Sequence, residues 1–310
     1  MTAGVLLALA APVALACGPA PKAVIDIDAN SYYTDKHRSV IDPVLKARNV
    51  AAVKPIDDFL DVLARAASAY QASPAARAGE ADCALQWMAR WAGDQALLGK
   101  MTTRQSYYTR KWTLGGLALS YAKLKPAATG LQQRSIEAWL TALAAATIVH
   151  SDAHKGVRNN HYYWEGLAVS AAGAVTGDAR LLAWGRKVFG HAMSQVAADG
   201  SLPLEMNRAV KALHYHLFAV TPLVMMASIL DLRSPQLDSL VRFTLDGAAD
   251  PAYIEKQTGF VQERATGPMS WKAIYARQVP GTASAATATS WQPRLGGDIS
   301  IANPLEHVAR

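Results

Sequence analysis

Apolar positions recur at helical spacing along almost the whole chain. Phe59, Val62, Leu63, Ala66 and Tyr70 form one stripe, and Leu85, Met88 and Ala92 a second. Ile136, Trp139, Leu140 and Leu143 form a third, and Leu181, Val188 and Ala192 a fourth. Runs that alternate with period two, as half-buried strands require, are scarce. Turn-formers interrupt the stripes at Ser73-Pro74, Pro126 to Gly130, Thr176 to Asp178 and Asp199-Gly200. This punctuation predicts helices of about 15 to 20 residues joined by short loops.

A weak internal repeat organises the stripes. Gly116-Leu117-Ala118-Leu119-Ser120 matches Gly166-Leu167-Ala168-Val169-Ser170 at an offset of 50 residues, with Trp112 and Trp164 ahead of the two copies. A period in this range marks a repeated helical pair. When such pairs curve and close, the N-terminal ends of the inner helices face a shared cleft. The expected fold is all-α: an incomplete (α/α) toroid or barrel of antiparallel helical hairpins, in a single domain over residues 17–310. Regular helix is hard to follow beyond Asp250, and the Ala/Thr/Ser-rich stretch Gly281 to Ser290 reads as a loop.

The N-terminus changes the setting. The apolar run Val5 to Ala16 closes on Ala14-Leu15-Ala16, a small-x-small pattern suited to a signal peptidase. Residues 1–16 are therefore expected to be a signal peptide cut before Cys17, and the mature chain to be periplasmic or secreted. The leader contains no Lys or Arg. Cys17 directly after Ala16 leaves a lipoprotein reading open, although Ala14 and Leu15 fit a lipobox poorly. The run is too short to span a bilayer, and no later run is expected to reach the roughly 20 apolar residues that a membrane helix needs. Only two cysteines occur, Cys17 and Cys83, and in an oxidising compartment an even pair predicts a disulfide between them.

The formal net charge of +7 favours a polyanionic partner. The basic residues are scattered rather than packed in runs, and export favours an acidic polysaccharide over nucleic acid. A monomer is expected. Two histidine pairs, His150 with His154 and His214 with His216, have spacings compatible with metal ligation. Neither pair has a third ligand at a recognisable spacing, so no metal or other cofactor is expected.

Two segments concentrate chemistry. In Arg158-Asn159-Asn160-His161-Tyr162-Tyr163-Trp164 a polar loop opens an apolar helix, so Asn159 or Asn160 is a natural N-cap. His161 and Trp164, three apart, share a face of that helix, where an imidazole and an indole would line one groove. In Glu205 to His216, the residues Arg208, Lys211 and Tyr215 fall at spacings of three and four and would form one stripe on a helix. Ahead of the first clear helix, the polar, aromatic and basic stretch Asn30 to Arg38 reads either as a lid over a bound chain or as a plain surface loop.

These segments resemble the alginate lyase family of polysaccharide lyases with the α/α toroid fold. Its members carry an Asn-Asn-His-x-Tyr-Trp block and a later Arg-x6-Tyr-His block. Asn159 to Trp164 and Arg208 with Tyr215-His216 match both. The likeness extends through Cys83 to Met88, Arg110 to Gly115 and Arg294-Leu295-Gly296-Gly297. It implies that Asn160, His161, Arg208 and Tyr215 hold the catalytic positions, with Trp164, Lys211, His214, Tyr108 and Tyr33 expected at the substrate. Lys211 and His214 stand where some members have Arg and Ala.

The implied reaction is β-elimination on a 4-linked uronate polymer, poly-mannuronate first, with poly-glucuronate and hyaluronan-like chains as alternatives. Arg208 and Asn160 would offset the sugar carboxylate. Tyr215 would act as base and acid, with His161 as assistant or alternative base. Two rival readings remain at this level. One is an inverting glycoside hydrolase using Glu165 and Glu205, and the other is a polyuronate-binding protein without catalysis.

Overall fold

The computed structural model describes residues 17–264, 269–279 and 290–307. The expected leader and nearly all of the Gly281 to Ser290 loop lie outside the described residues. The long helices are α1 (Pro43–Ala72), α2 (Ala78–Gly93), α3 (Arg104–Leu124), α4 (Gly130–Ala153), α5 (Asn160–Thr176), α6 (Ala179–Ser194), α8 (Ala212–Leu230) and α9 (Pro235–Ala249). Between and after them come the short helices α7 (Pro203–Met206), α10 (Ala252–Thr258) and α11 (Trp271–Gln278). A small antiparallel pair, β1 (Trp291–Gln292) with β2 (Gly297–Asp298), lies near the C-terminus. Helix therefore continues past Asp250, in the two short pieces α10 and α11.

Local chemistry explains the helix ends. The Asp42 carboxylate accepts from the backbone N–H groups of Val44 and Leu45, and Pro43 occupies the first position of α1. Thr129 and Gln132 form a reciprocal capping box on α4. Asn159, not Asn160, caps α5. That helix stops at Gly177, whose φ of 74° places it in the left-handed region. α1 runs for 30 residues, longer than the punctuation predicts, because Pro55 lies inside it without ending it.

Three helices, α3, α5 and α8, are buried on nearly every side, while α1, α2, α4, α6 and α9 bury one face each. α5 packs against both α3 and α8, with α4 and α6 outside it. This is an (α/α) toroid built from hairpins, with the repeated sequence on neighbouring inner helices. The repeat glycines mark close approaches. A Cβ on Gly116 would fall 2.5 Å from the Pro293 carbonyl oxygen, and one on Gly166 2.6 Å from Val188 Cγ1.

One stretch, Ala209–Leu230, is long and apolar enough to cross a membrane by length and composition, contrary to the expectation that nothing after the leader comes close. It spans α8, and 83% of its apolar window is buried within the protein, as the innermost helix of a large core requires.

The N-terminal strand-like strap is tied to α2. Cys17 and Cys83 form a disulfide, and the Trp87 and Trp91 indole N–H groups donate to the Gly18 and Pro21 carbonyls at 3.0 and 2.9 Å. From there the chain pairs with the 97–102 loop and reaches the mouth of the cleft at Tyr33 and Arg38.

Candidate active site

The N-terminal ends of the inner helices open on one cavity of about 990 Å³, large enough for several sugar units. α3 contributes Arg104, Tyr107, Tyr108 and Trp112; α5 contributes His161; and α8 contributes His214 and Tyr215. The strap adds Tyr33, Lys36 and Arg38, and the C-terminal segment adds Arg294. Seven cationic side chains line the cavity (Lys36, Arg38, Lys46, Arg104, Arg158, Arg208 and Arg294) against two carboxylates, Asp57 and Glu165. The four histidines His150, His154, His161 and His214 are also in the lining.

Glu205 joins the two motif segments. It is fully buried in α7. Its Oε1 accepts from the Asn160 backbone N–H at 3.0 Å and from Asn160 Nδ2 at 2.9 Å. Its Oε2 accepts from Arg208 Nε at 3.2 Å. Burial pushes the Glu205 carboxyl up, while Arg208 and the Asn160 hydrogen bonds pull it back toward the charged form. One carboxylate thus pins an amide and a guanidinium side by side.

Arg208 then extends over Tyr215, its Cζ 4.5 Å from the ring centroid. The Tyr215 hydroxyl donates to the Arg38 carbonyl at 3.1 Å. Burial first, and then the neighbouring Tyr33 phenol, push the Tyr215 pKa up, against the lowering influence of Arg208. At rest Tyr215 is a protonated phenol.

His161, half-buried, lines the same cavity. The Tyr108 ring stacks on its imidazole at 3.6 Å with an 11° tilt, and the Trp112 ring centroid is 6.0 Å away. Desolvation, and then the positive charges of Lys111, Arg208, Arg104 and Arg38, hold the imidazole well below its usual range, so it is neutral near pH 7. Its Nδ1 and the Asn160 Oδ1 are buried polar atoms with no hydrogen-bond partner among the described residues.

Trp164 and Lys211, both expected at the substrate, are placed elsewhere. The Trp164 indole N–H donates to the Phe218 carbonyl at 3.1 Å, and its ring packs on Phe218 in the core. Nearly one turn further along α5 on the same face, it meets Phe218, and Phe218 rather than Trp164 lines the cavity. Lys211 is buried in an ion pair with Glu263. Residues 205–211 do not form the continuous helix that would carry Arg208, Lys211 and Tyr215 as one stripe. α7 ends at Met206, Ala209 takes a left-handed φ of 48°, and a short 3-10 turn precedes α8.

The histidine pairs are also accounted for by other contacts. His150 stacks on Tyr107 at 3.5 Å. His216 is fully buried between the Ala212 carbonyl and the Leu202 N–H. No group of three or more His, Cys, Asp or Glu suited to a metal ion occurs among the described residues.

Four cleft arginines went unpredicted as site residues, Arg158 among them at the head of the first motif segment. Arg38 and Arg294 lie in segments already singled out, the candidate lid and the Arg-Leu-Gly-Gly block, so a signal existed. Arg294 sits over Trp112 at 4.3 Å because the Gly296-Gly297 turn, with φ of 82° and 101°, folds the C-terminal segment against α3 and α1. Arg104 carries no sequence mark beyond opening α3.

An all-helical toroid whose inner helix ends gather cations, a buried amide, a neutral imidazole and a phenol defines a polysaccharide lyase. The alginate lyase family model matches residues 26–253. A polysaccharide lyase of Stenotrophomonas maltophilia is 40% identical over 96% of this chain and 93% of its own length. An alginate lyase of Pseudomonas fluorescens is 33% identical over 72% of this chain and 67% of its own length. The chain belongs to the alginate lyase family. Its fold is similar to that of a histidine-to-alanine variant of alginate lyase A1-III complexed with tetrasaccharide, with a TM-score of 0.79 at 22% identity over 98% of this chain and 89% of that one.

Proposed function

We propose that this lyase cleaves alginate, and its β-1,4-linked mannuronate blocks in particular, by β-elimination. The observation that carries the reading is the Glu205 clamp, which fixes Asn160 and Arg208 next to a neutral imidazole and a protonated phenol in a cation-lined cleft. The alginate named for the relatives, and the tetrasaccharide held by the similar structure, support a linear uronate chain as the ligand.

Removing the C5 proton of a uronate builds negative charge next to a carboxylate that is already charged. Arg208 lines the cavity, where it can bind that carboxylate and take up the developing charge, while the buried Asn160 shares Glu205 with it from behind the cavity wall. The resting charge states divide the proton transfers. Neutral His161 accepts the proton from C5, the electrons form the C4–C5 double bond, the C4–O4 bond breaks, and Tyr215 gives its proton to O4. This keeps the expected acid role of Tyr215 and takes the alternative base, His161, because a phenol whose pKa is raised is protonated at rest: it holds a proton for O4 but is no resting base. In mannuronate H5 and O4 lie on one side of the ring, and both groups open on the same cavity.

The inverting-hydrolase alternative needs two carboxylates free to exchange protons and to activate water. Glu205 is committed to Asn160 and Arg208, and Glu165 to Lys111 and Ser151.

The test is incubation with separate mannuronate, guluronate, glucuronate and hyaluronan polymers, following ultraviolet absorbance of unsaturated ends and product size. Mannuronate should give the fastest rise. His161→Ala and Tyr215→Phe should each lower kcat by at least about 10²-fold in folded protein. Saturated reducing ends, or binding without any cleavage, would sink the proposal.

A further inference from the structure

Four cations face His161: Lys111 and Arg104 from α3, Arg208 from the α7–α8 connection and Arg38 from the strap. Arg38, Arg104 and Arg208 line the cleft, where a polymer's carboxylates can reach them. Lys111 does not. Its side chain is 1% exposed, and it lies beneath the first turn of α5, behind the cavity wall.

The contacts of Lys111 converge on the imidazole. Its Nζ donates to the His161 main-chain carbonyl at 2.7 Å and to Glu165 Oε1 at 3.1 Å. The same ammonium lies 4.4 Å from the centroid of the Tyr108 ring, which is the ring stacked on His161. Glu165, four residues along α5 from His161, is held from behind. Its other oxygen accepts from Ser151 Oγ at 2.6 Å, and that hydroxyl accepts from Arg158 Nη1 at 3.2 Å. The Glu165 carboxylate is thereby tied to Lys111 and α4.

We propose that Lys111 is a positioning residue for the elimination. Its buried ammonium fixes the His161 turn and the Tyr108 ring, and it keeps a positive charge beside the imidazole after bound polymer has neutralised the cleft arginines. This rests on the reading of His161 as the proton acceptor. In the free enzyme all four cations oppose an imidazolium. Once substrate carboxylates screen three of them, the imidazole becomes more basic in the complex, and Lys111 limits how far that rise goes. Burial draws the Lys111 ammonium itself down to about 8, so its charge is held through the neutral range and lost above it.

Removing the charge should raise the pKa of His161, so the base is protonated, and activity lost, at a higher pH than in the wild type. The experiment compares kcat–pH profiles of the wild type, Lys111→Arg, Lys111→Met and the double variant Lys111→Met with Glu165→Gln. It also follows the His161 ring by NMR in histidine-labelled protein, with and without an unsaturated oligouronide product. The acid limb of kcat should move up by about one pH unit in Lys111→Met, and in the same direction but less far in the double variant, which also loses the Glu165 carboxylate, with the His161 titration moving alongside, while Lys111→Arg keeps the wild-type limb. Should Lys111→Met fail to fold, the double variant carries the test, since it removes both members of the buried pair together.

A folded variant that loses rate while its acid limb and its His161 titration stay at the wild-type positions overturns the proposal. A wild-type acid limb that does not follow the His161 titration sinks the acceptor reading, and this proposal with it. The two failures are therefore distinguishable.

Discussion

At the scale of single residues, the site depends on a side chain that never touches the cavity. Glu205 is a buried carboxylate whose two oxygens are divided between Asn160 and Arg208. Glu205→Gln preserves shape and one accepting oxygen, but it turns an amide N–H₂ toward either Arg208 or Asn160, where two donors then face each other. The freed Arg208 should leave the position in which it meets the carboxylate. We expect kcat/KM to fall by about 10²-fold or more with the fold retained, checked by steady-state rates beside a thermal melt. A Glu205→Gln enzyme within a few-fold of wild type would show that the clamp is dispensable. That Asn160, His161, Arg208 and Tyr215 come from two segments that meet was legible, because two short blocks hold distinctive side chains. The role of Glu205 was not, because an acidic residue opening a helix looks the same whether it serves the helix or a partner 45 residues away. Trp164 was misread for a related reason, since spacing gives the face of a helix but not what that face meets.

Among the elements, the short α7 segment needs an anchor, because a four-residue helix is too short to hold its own position. His216 of α8 supplies one. Its Nδ1–H donates to the Ala212 carbonyl at 2.8 Å, which leaves Nε2 as the acceptor for the Leu202 N–H at 3.0 Å, at the start of α7. Only the neutral imidazole can do both. Burial lowers its pKa to about 4, and the unfolded chain titrates near the ordinary value of about 6.5. The unfolded state therefore binds the extra proton first as pH falls. The associated stability, on the order of 3 kcal/mol, is present above about pH 6.5 and is lost between there and about pH 4. Urea unfolding of the wild type should show that loss, and His216→Gln, which does not titrate, should show a smaller one over the same window. Equal losses would place the acid sensitivity elsewhere. The sequence pattern located the long helices through their stripes and breaks. It left a single helix through 205–216 open, because nothing in the residue types announces the left-handed Ala209 or the 3-10 turn that it begins.

For the whole molecule, composition supplied the sign of the charge and the fold decided where it acts. The basic residues are scattered in the sequence, yet the toroid gathers seven of them from the strap, the N-terminal ends of α1 and α3, the 154–159 loop, the α7–α8 connection and the C-terminal turn around one cavity with only two carboxylates. No single segment carries that concentration, which is why it could be anticipated as a preference for polyanions but not as a cleft. A polymer with one carboxylate per sugar should feel this field before contact, and exposed charges interact over a screening length of about 8 Å at physiological salt. The charges around the proton transfer are different: Lys111, Glu165 and Glu205 are buried, and salt screens them little. Raising ionic strength from about 0.05 to 0.5 M should therefore raise KM several-fold while kcat changes by less than about twofold. A KM that ignores salt would mean that the cleft arginines do not attract the chain. A kcat that falls in step with it would mean that the catalytic charges are solvated, contrary to their burial.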